Sequence, residues 1–146
     1  MAVSAGSSHI VIAAKARVLI DGAAEGPLLR LVEPISFWGG VDPETGRLTD
    51  PRHPQHGVAI GGTVLALAAT RGSSSSSAIM LELLRRGIGP AALLLGEPDA
   101  ILALGVIVGR EMGYPAIPVL ALPAAAQALL PEGRLRIARG GAIAAA

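Results

Sequence analysis

The sequence predicts a layered domain of mixed α/β class with strands of both senses. Between residues 63 and 121, apolar strand-like runs alternate with helical stretches in the order strand, helix, strand, helix, strand, the pattern of parallel βαβ units. Upstream, short apolar runs separated by turn residues read as an antiparallel portion. Aromatic residues supply 2% of a chain that is 51% hydrophobic, so the core is to be built from Ala, Leu, Ile and Val. With 146 residues, no internal repeat and no linker, a single domain spanning 1–146 is expected.

The elements follow in order. Residues 9–20 and 28–33 are apolar runs that read as strands, with a turn over Asp21–Pro27. From Ile35 to Gly57 the chain is rich in Gly and Pro and has no sustained period, which predicts a long loop; two of the three aromatic residues open it, favouring a docked loop. Residues 58–69 return to strand-like alternation, either as two strands broken at Gly61–Gly62 or as one with a bulge. The serine run Ser73–Ser77 then straddles the start of a helix. Ile79, Met80, Leu83 and Leu84 share one face of that helix, and Gly87 stops it. A buried strand over 91–95 and a second helix over 98–112, with Pro98 and Asp99 in its first turn, come next. A strand over 116–121, a short helix over 123–130 and a final strand over 134–138 complete the prediction.

Composition excludes several functions. A net charge of +1 leaves no electrostatic footprint for nucleic acid. The chain has no cysteine and so can supply neither a disulfide nor a thiolate ligand; any zinc or iron–sulfur group would have to be held by a partner. The N-terminal residues lack the basic and apolar regions of a secretory signal, and the apolar stretches fall short of the roughly 20 residues that cross a bilayer. A soluble cytoplasmic protein is expected.

Three groups of residues are candidates for chemistry. The loop Arg71–Ser77 joins a strand to a helix N-terminus, where open parallel sheets place ligands and where free N–H groups favour an anion or a developing alkoxide. It is not a Walker loop, because the chain's one lysine is Lys15; the alternative is that the serines only cap a helix in a solvated turn. Asp42, Glu44, Asp50, His53 and His56 include ligand types. However, Pro51 and Pro54 forbid an ordinary helix through the two histidines, and a solvated or partner-facing loop is the better reading. Phe37 and Trp38 beside Gly39 and Gly40 read as an interface or pocket ahead of plain core.

The segments PISFWGGVDPETGRLTDPRHPQHG (Pro34–Gly57), RGSSSSSAIMLELLRRG (Arg71–Gly87) and GEPDAILALGVIVGREMGYPAIPVL (Gly96–Leu120) carry a resemblance. In order and spacing over roughly residues 9–140, the chain resembles the small subunit of the aconitase X family, itself similar to the swivelling domain of aconitase. The resemblance implies a three-layer β/β/α swivel domain that closes over a large catalytic subunit, as a heterodimer or a dimer of heterodimers. The iron or iron–sulfur centre would lie on that partner and no metal on this chain. Gly72-Ser73-Ser74-Ser75 matches the Gly-Ser-Ser-Arg motif of aconitase-type swivel domains except at its last position. It implies Ser73 as the proton-abstracting base, with Arg71, Gly72, Ser74, Ser75, Phe37, Trp38, Gly39 and Gly40 around the substrate. Ser75 in place of the arginine that grips a carboxylate-rich substrate argues against the citrate and isopropylmalate reactions. Of the two family reactions, dehydration of cis-3-hydroxy-L-proline ranks ahead of dehydration of mevalonate 5-phosphate, since the Ala- and Arg-rich composition with one lysine is unlike that of hyperthermophiles. A non-catalytic swivel-type binding domain is the alternative outside enzymes.

Overall fold

Ala16 divides the first apolar run into two short strands, β1 (Ile12–Lys15) and β2 (Arg17–Ile20), which lie at opposite ends of the sheet order. The computed structural model describes residues 11–146, so the start of the strand expected from residue 9 lies outside the described residues. Six further strands follow: β3 (Ala24–Arg30), β4 (Val64–Leu67), β5 (Ala92–Leu95), β6 (Val119–Ala121), β7 (Arg134–Ile137) and β8 (Ala142–Ala145). Their spatial order is β1-β8-β7-β3-β4-β5-β6-β2. Because the two ends of that order are joined through Ala16 alone, the sheet must curl back on itself. The Ala16 N–H donates to Gly141 O at 2.9 Å, and a Cβ on Gly141 would lie 2.4 Å from Ala16 O. Only glycine fits there.

Strand β3 belongs to two ladders. Ala24–Pro27 pair antiparallel with β7, whereas Leu28–Arg30 pair parallel with β4, so β3 joins an antiparallel sheet (β1, β8, β7) to a mostly parallel one (β4, β5, β6, with β2 antiparallel at its edge). Pro27, which lacks an N–H, sits where the ladder changes partner. The strand therefore begins inside the stretch expected to be a turn. The reason is tertiary: Gly26 packs so closely on the Gly61–Gly62 turn that a Cβ would meet Gly62 O at 2.4 Å.

The parallel strands are covered on both faces. Along β4, Leu65 and Leu67 face one apolar cluster and Val64 and Ala66 another; β5 repeats this with Leu93 and Leu95 against Ala92 and Leu94. The first cluster takes in Met80, Leu83 and Leu84 of α1 (Ser76–Arg85) and Leu102 and Val106 of α2 (Ala100–Glu111). The second is closed by Leu135, Ile137 and Ile143 of the antiparallel sheet. The layers are thus sheet, sheet and helices.

Local chemistry sets the helix ends. Helix α1 stops in a Schellman motif: Ile88 N–H donates to Leu83 O at 3.0 Å and Gly87 N–H to Leu84 O at 3.1 Å, with Gly87 at φ 72°. Helix α2 starts one residue after Asp99, which is its N-cap and lies outside the first turn. The short α3 (Ala124–Gln127) ends in Gln127. Its buried amide Nε2 donates to the carbonyls of Leu67, Leu94 and Leu122 at 2.9, 3.3 and 3.0 Å, tying α3 to the ends of the parallel strands. Two further expectations need correction: the alternation over 58–69 yields a strand only at 64–67, and a strand at 142–145 follows the one predicted to be last. Ala-rich 142–145 carries no strand signal of its own and is ordered by pairing with β7 and β1.

The region expected to be a long loop is tied down by its own backbone. Val41 bridges Leu48, Arg47 bridges Ala59, and Leu48 and Ile60 are buried. No helix among the described residues is long and apolar enough to cross a membrane.

Candidate active site

Strands β3 and β4 run parallel, so the segments leaving them emerge at the same edge of the sheet. They stay together: Ile35 bridges Thr70, and Arg71 N–H donates to Ile35 O at 3.0 Å. The aromatic pair is thereby set beside the serine loop. Phe37 and Trp38 part company there, because Phe37 is 1% exposed, in the core, whereas Trp38 is 58% exposed. The kinked turn Phe37–Gly40 separates them, with Gly39 at φ 81°. Gly40 is confined by Ile35, whose side chain a Cβ would approach to 2.6 Å, while Gly39 faces open space.

Trp38, Gly39 and Gly40 form one side of an open cavity of about 480 Å³, and Asp50, Arg52 and Arg71 line the rest with Ser36 and Pro51. An adjoining recess of about 190 Å³ shares Asp50, Arg52 and Arg71 and is bounded by Glu33, Pro34 and His53. The Asp50 carboxyl lies below the usual carboxylate range, chiefly because it accepts the Arg52 N–H and further because the Arg52 and Arg71 charges are near. It is ionised at neutral pH. Arg71 makes no ion pair among the described residues.

The serines lie at the start of α1. Ser73 is half-buried, and its Oγ accepts the Ser75 N–H at 3.2 Å, while Ser73 O accepts the Ser76 N–H at 3.1 Å. Ser74 and Ser75 are exposed, Ser76 is buried, and Ser77 Oγ donates to Ser74 O at 3.4 Å. Ser75 is the N-cap position but makes no side-chain cap, so Ser73 supplies the hydroxyl acceptor that quiets this helix end. Gly72 opens on a second cleft of about 340 Å³ with Thr70, Asp99 and Glu97.

The structure thus brings Arg71, Trp38, Gly39 and Gly40 around one cavity, places Gly72 in the neighbouring cleft and Ser73–Ser75 at the helix start, and puts Phe37 in the core beneath. The acidic and histidine residues of the loop do not converge: no three His, Asp or Glu side chains among the described residues lie together to hold a metal. His53 is buried and uses both ring nitrogens. Nδ1 accepts the Gln55 N–H at 3.0 Å, which leaves Nε2–H to donate to Glu33 O at 3.0 Å. Arg52 is a cavity residue that sequence reasoning did not assign, and Asp50 is one that it considered only as a ligand type in the loop. Their available signal was the Asp-Pro-Arg turn between the two Gly-rich segments.

A family model described as the aconitase X swivel domain matches residues 13–143. The chain belongs to the aconitase X swivel family. This swivel domain is 40% identical over 139 residues to a cis-3-hydroxy-L-proline dehydratase of Pseudomonas aeruginosa, covering 90% of this chain and 23% of that protein. It is 42% identical over 94 residues to a phosphomevalonate dehydratase small subunit of Pyrococcus furiosus, covering 64% and 70% of the two chains. The crystal structure of Thermococcus kodakaraensis aconitase X (holo-form) superposes with a TM-score of 0.77 at 31% identity, over 89% of this chain and 95% of that one. The aconitase X swivel domain described here spans less than a quarter of the length of two hydroxyproline dehydratases that it matches.

Proposed function

We propose that this chain, as one domain over 1–146, is the swivelling small subunit of a cytoplasmic two-subunit hydro-lyase that dehydrates a hydroxy acid. The preferred reaction is cis-3-hydroxy-L-proline to 1-pyrroline-2-carboxylate. The observation that carries this reading is the half-buried Ser73 at the start of α1, its Oγ already accepting a backbone N–H, two residues from Arg71 at the cavity wall. A hydrogen bond donated to Oγ and the positive end of the helix both favour the alkoxide over the hydroxyl. In that state Ser73 takes the proton from the carbon bearing the carboxylate, the hydroxyl on the adjacent carbon departs as hydroxide and carries off the proton gained by Ser73 as water, and the enamine formed tautomerises to the imine. Similarity over 90% of this chain to a hydroxyproline dehydratase supports that substrate.

The iron or iron–sulfur centre is assigned to the large subunit, as the residues here do not fit one: the chain has no cysteine and both nitrogens of His53 are committed within the loop. Mevalonate 5-phosphate is the second reading. It is favoured by the relatives named small subunits, 70% of whose length this chain covers in one case.

The test is co-expression with the large subunit and assay on both hydroxy acids. Ser73→Ala is expected to leave assembly intact and lower kcat by a factor on the order of 10² to 10⁴. Unchanged rates in Ser73→Ala, Ser74→Ala and Ser75→Ala would return the serine run to a helix cap. No dehydration of either acid would favour a binding domain.

A further inference from the structure

The three charged residues shared by the two recesses are held on fixed backbone. Asp50 Oδ1 accepts the Arg52 N–H at 2.9 Å and Asp50 O accepts the His53 N–H at 3.1 Å, with Pro51 between them and His53 anchored to Glu33 O. Arg71 is anchored by its N–H to Ile35 O. The functional ends of these side chains are not used up. Arg52 Nε lies 3.5 Å from Asp50 Oδ1, too long for a saturating hydrogen bond, and the Arg52 side chain is 88% exposed. Asp50 Oδ2 and the Arg71 guanidinium have no hydrogen-bond partner among the described residues. Beside them lie an exposed indole, Trp38, and Gly39, which offers bare backbone.

Two guanidiniums and one ionised carboxylate at a cavity mouth present opposite charges side by side. A phosphorylated hydroxy acid, with two anionic groups and no cation, leaves Asp50 repelling the ligand. An α-amino acid carries its carboxylate and ammonium on the same carbon and meets both signs at once. We infer that Arg52 and Arg71 bind the carboxylate, and Asp50 the ammonium group, of a zwitterionic α-amino acid, with Trp38 against its carbon skeleton. This rests on the proposed dehydratase reading and names the residues by which the site would choose the amino acid over the phosphorylated hydroxy acid.

The test measures binding to this chain assembled with its large subunit, using L-proline, which has no hydroxyl to eliminate, and tetrahydrofuran-2-carboxylate, which lacks the ammonium group. Calorimetry on Arg52→Gln should show affinity for both probes reduced about tenfold or more, the usual consequence of losing a charge-assisted contact. Asp50→Asn keeps an oxygen to accept the Arg52 N–H. It should weaken L-proline about tenfold while leaving tetrahydrofuran-2-carboxylate unchanged or tighter. Parental affinity for L-proline in both variants, no L-proline binding at all, or tighter binding of mevalonate 5-phosphate than of L-proline would overturn the inference. Turnover of cis-3-hydroxy-L-proline is read separately. Turnover with unaltered L-proline affinity in the variants sinks the inference alone, whereas absent turnover with binding lost in Arg52→Gln sinks the dehydratase reading alone.

Discussion

Thr70 Oγ1 donates a 2.6 Å hydrogen bond to Asp99 Oδ2, while Asp99 Oδ1 accepts the N–H groups of Ile101 and Leu102 at 3.0 Å each. One carboxylate therefore caps α2 and ties it to the residue preceding Arg71. Close contact continues beneath it, for a Cβ on Gly96 would lie 2.3 Å from Ala68 O. The loop that leads from Thr70 into Arg71 is held by the helix start next to it.

Asp99→Ala removes the cap and the tie together and is expected to destabilise the chain by about 2 kcal/mol, a cap contributing about 1 and the side-chain bond a similar amount. Asp99→Asn keeps the cap acceptor and should cost less. Urea unfolding midpoints of the two variants against the parent check this, and equal midpoints for Asp99→Ala and parent would refute it.

Gly105 is where α2 crosses α1. A Cβ at that position would lie 2.6 Å from Ser77 O and 3.1 Å from Met80 Cβ. Alanine improves helix propensity by about 1 kcal/mol, yet overlap with a backbone oxygen forces the helices apart at a cost of about 1–3 kcal/mol. Gly105→Ala should therefore lower the melting temperature, and, on the proposed function, it should also reduce kcat of the two-subunit enzyme because Ser77 lies in the first turn of α1, just after Ser73. A raised melting temperature would show that the crossing adjusts freely.

Glu82 bonds Arg85 and Arg86 at the C-terminal end of α1, and those hydrogen bonds bring its carboxyl down from 4.5 to about 2. A carboxyl depressed in the folded state contributes stability that is fully present above pH 4.5 and is lost as pH falls through about 2. The site is exposed, so the effect is small and screened by salt. Melting curves of parent and Glu82→Gln should differ at pH 7 and converge towards pH 2; a difference independent of pH would point to helix propensity instead.

Local pattern was sufficient for the centre of the chain. The buried strands β4 and β5 read as apolar runs because both their faces are covered, and α1 announced its start in serine and its stop at Gly87. The serine loop was legible as a candidate site because a strand end and a helix start frame it. Arg52 was not, since a lone arginine in a Pro-rich stretch resembles any solvated turn until His53 clips that turn to Glu33 O.

Residue order alone, then, determined the alternation of parallel strands and helices from 63 to 121, the absence of thiolate ligands and the placement of the serines, all of which follow from local periodicity, capping and composition. Tertiary structure decided the rest. It sent β1 and β2 to opposite ends of one sheet order across Ala16, drew a strand from Ala142–Ala145, and gave neighbouring Phe37 and Trp38 opposite fates. It also carried Arg52 to Arg71 across 19 positions of sequence. These outcomes depend on which surfaces remain to be covered once the helices and parallel strands have packed, and that is a property of the assembled chain with no local signature.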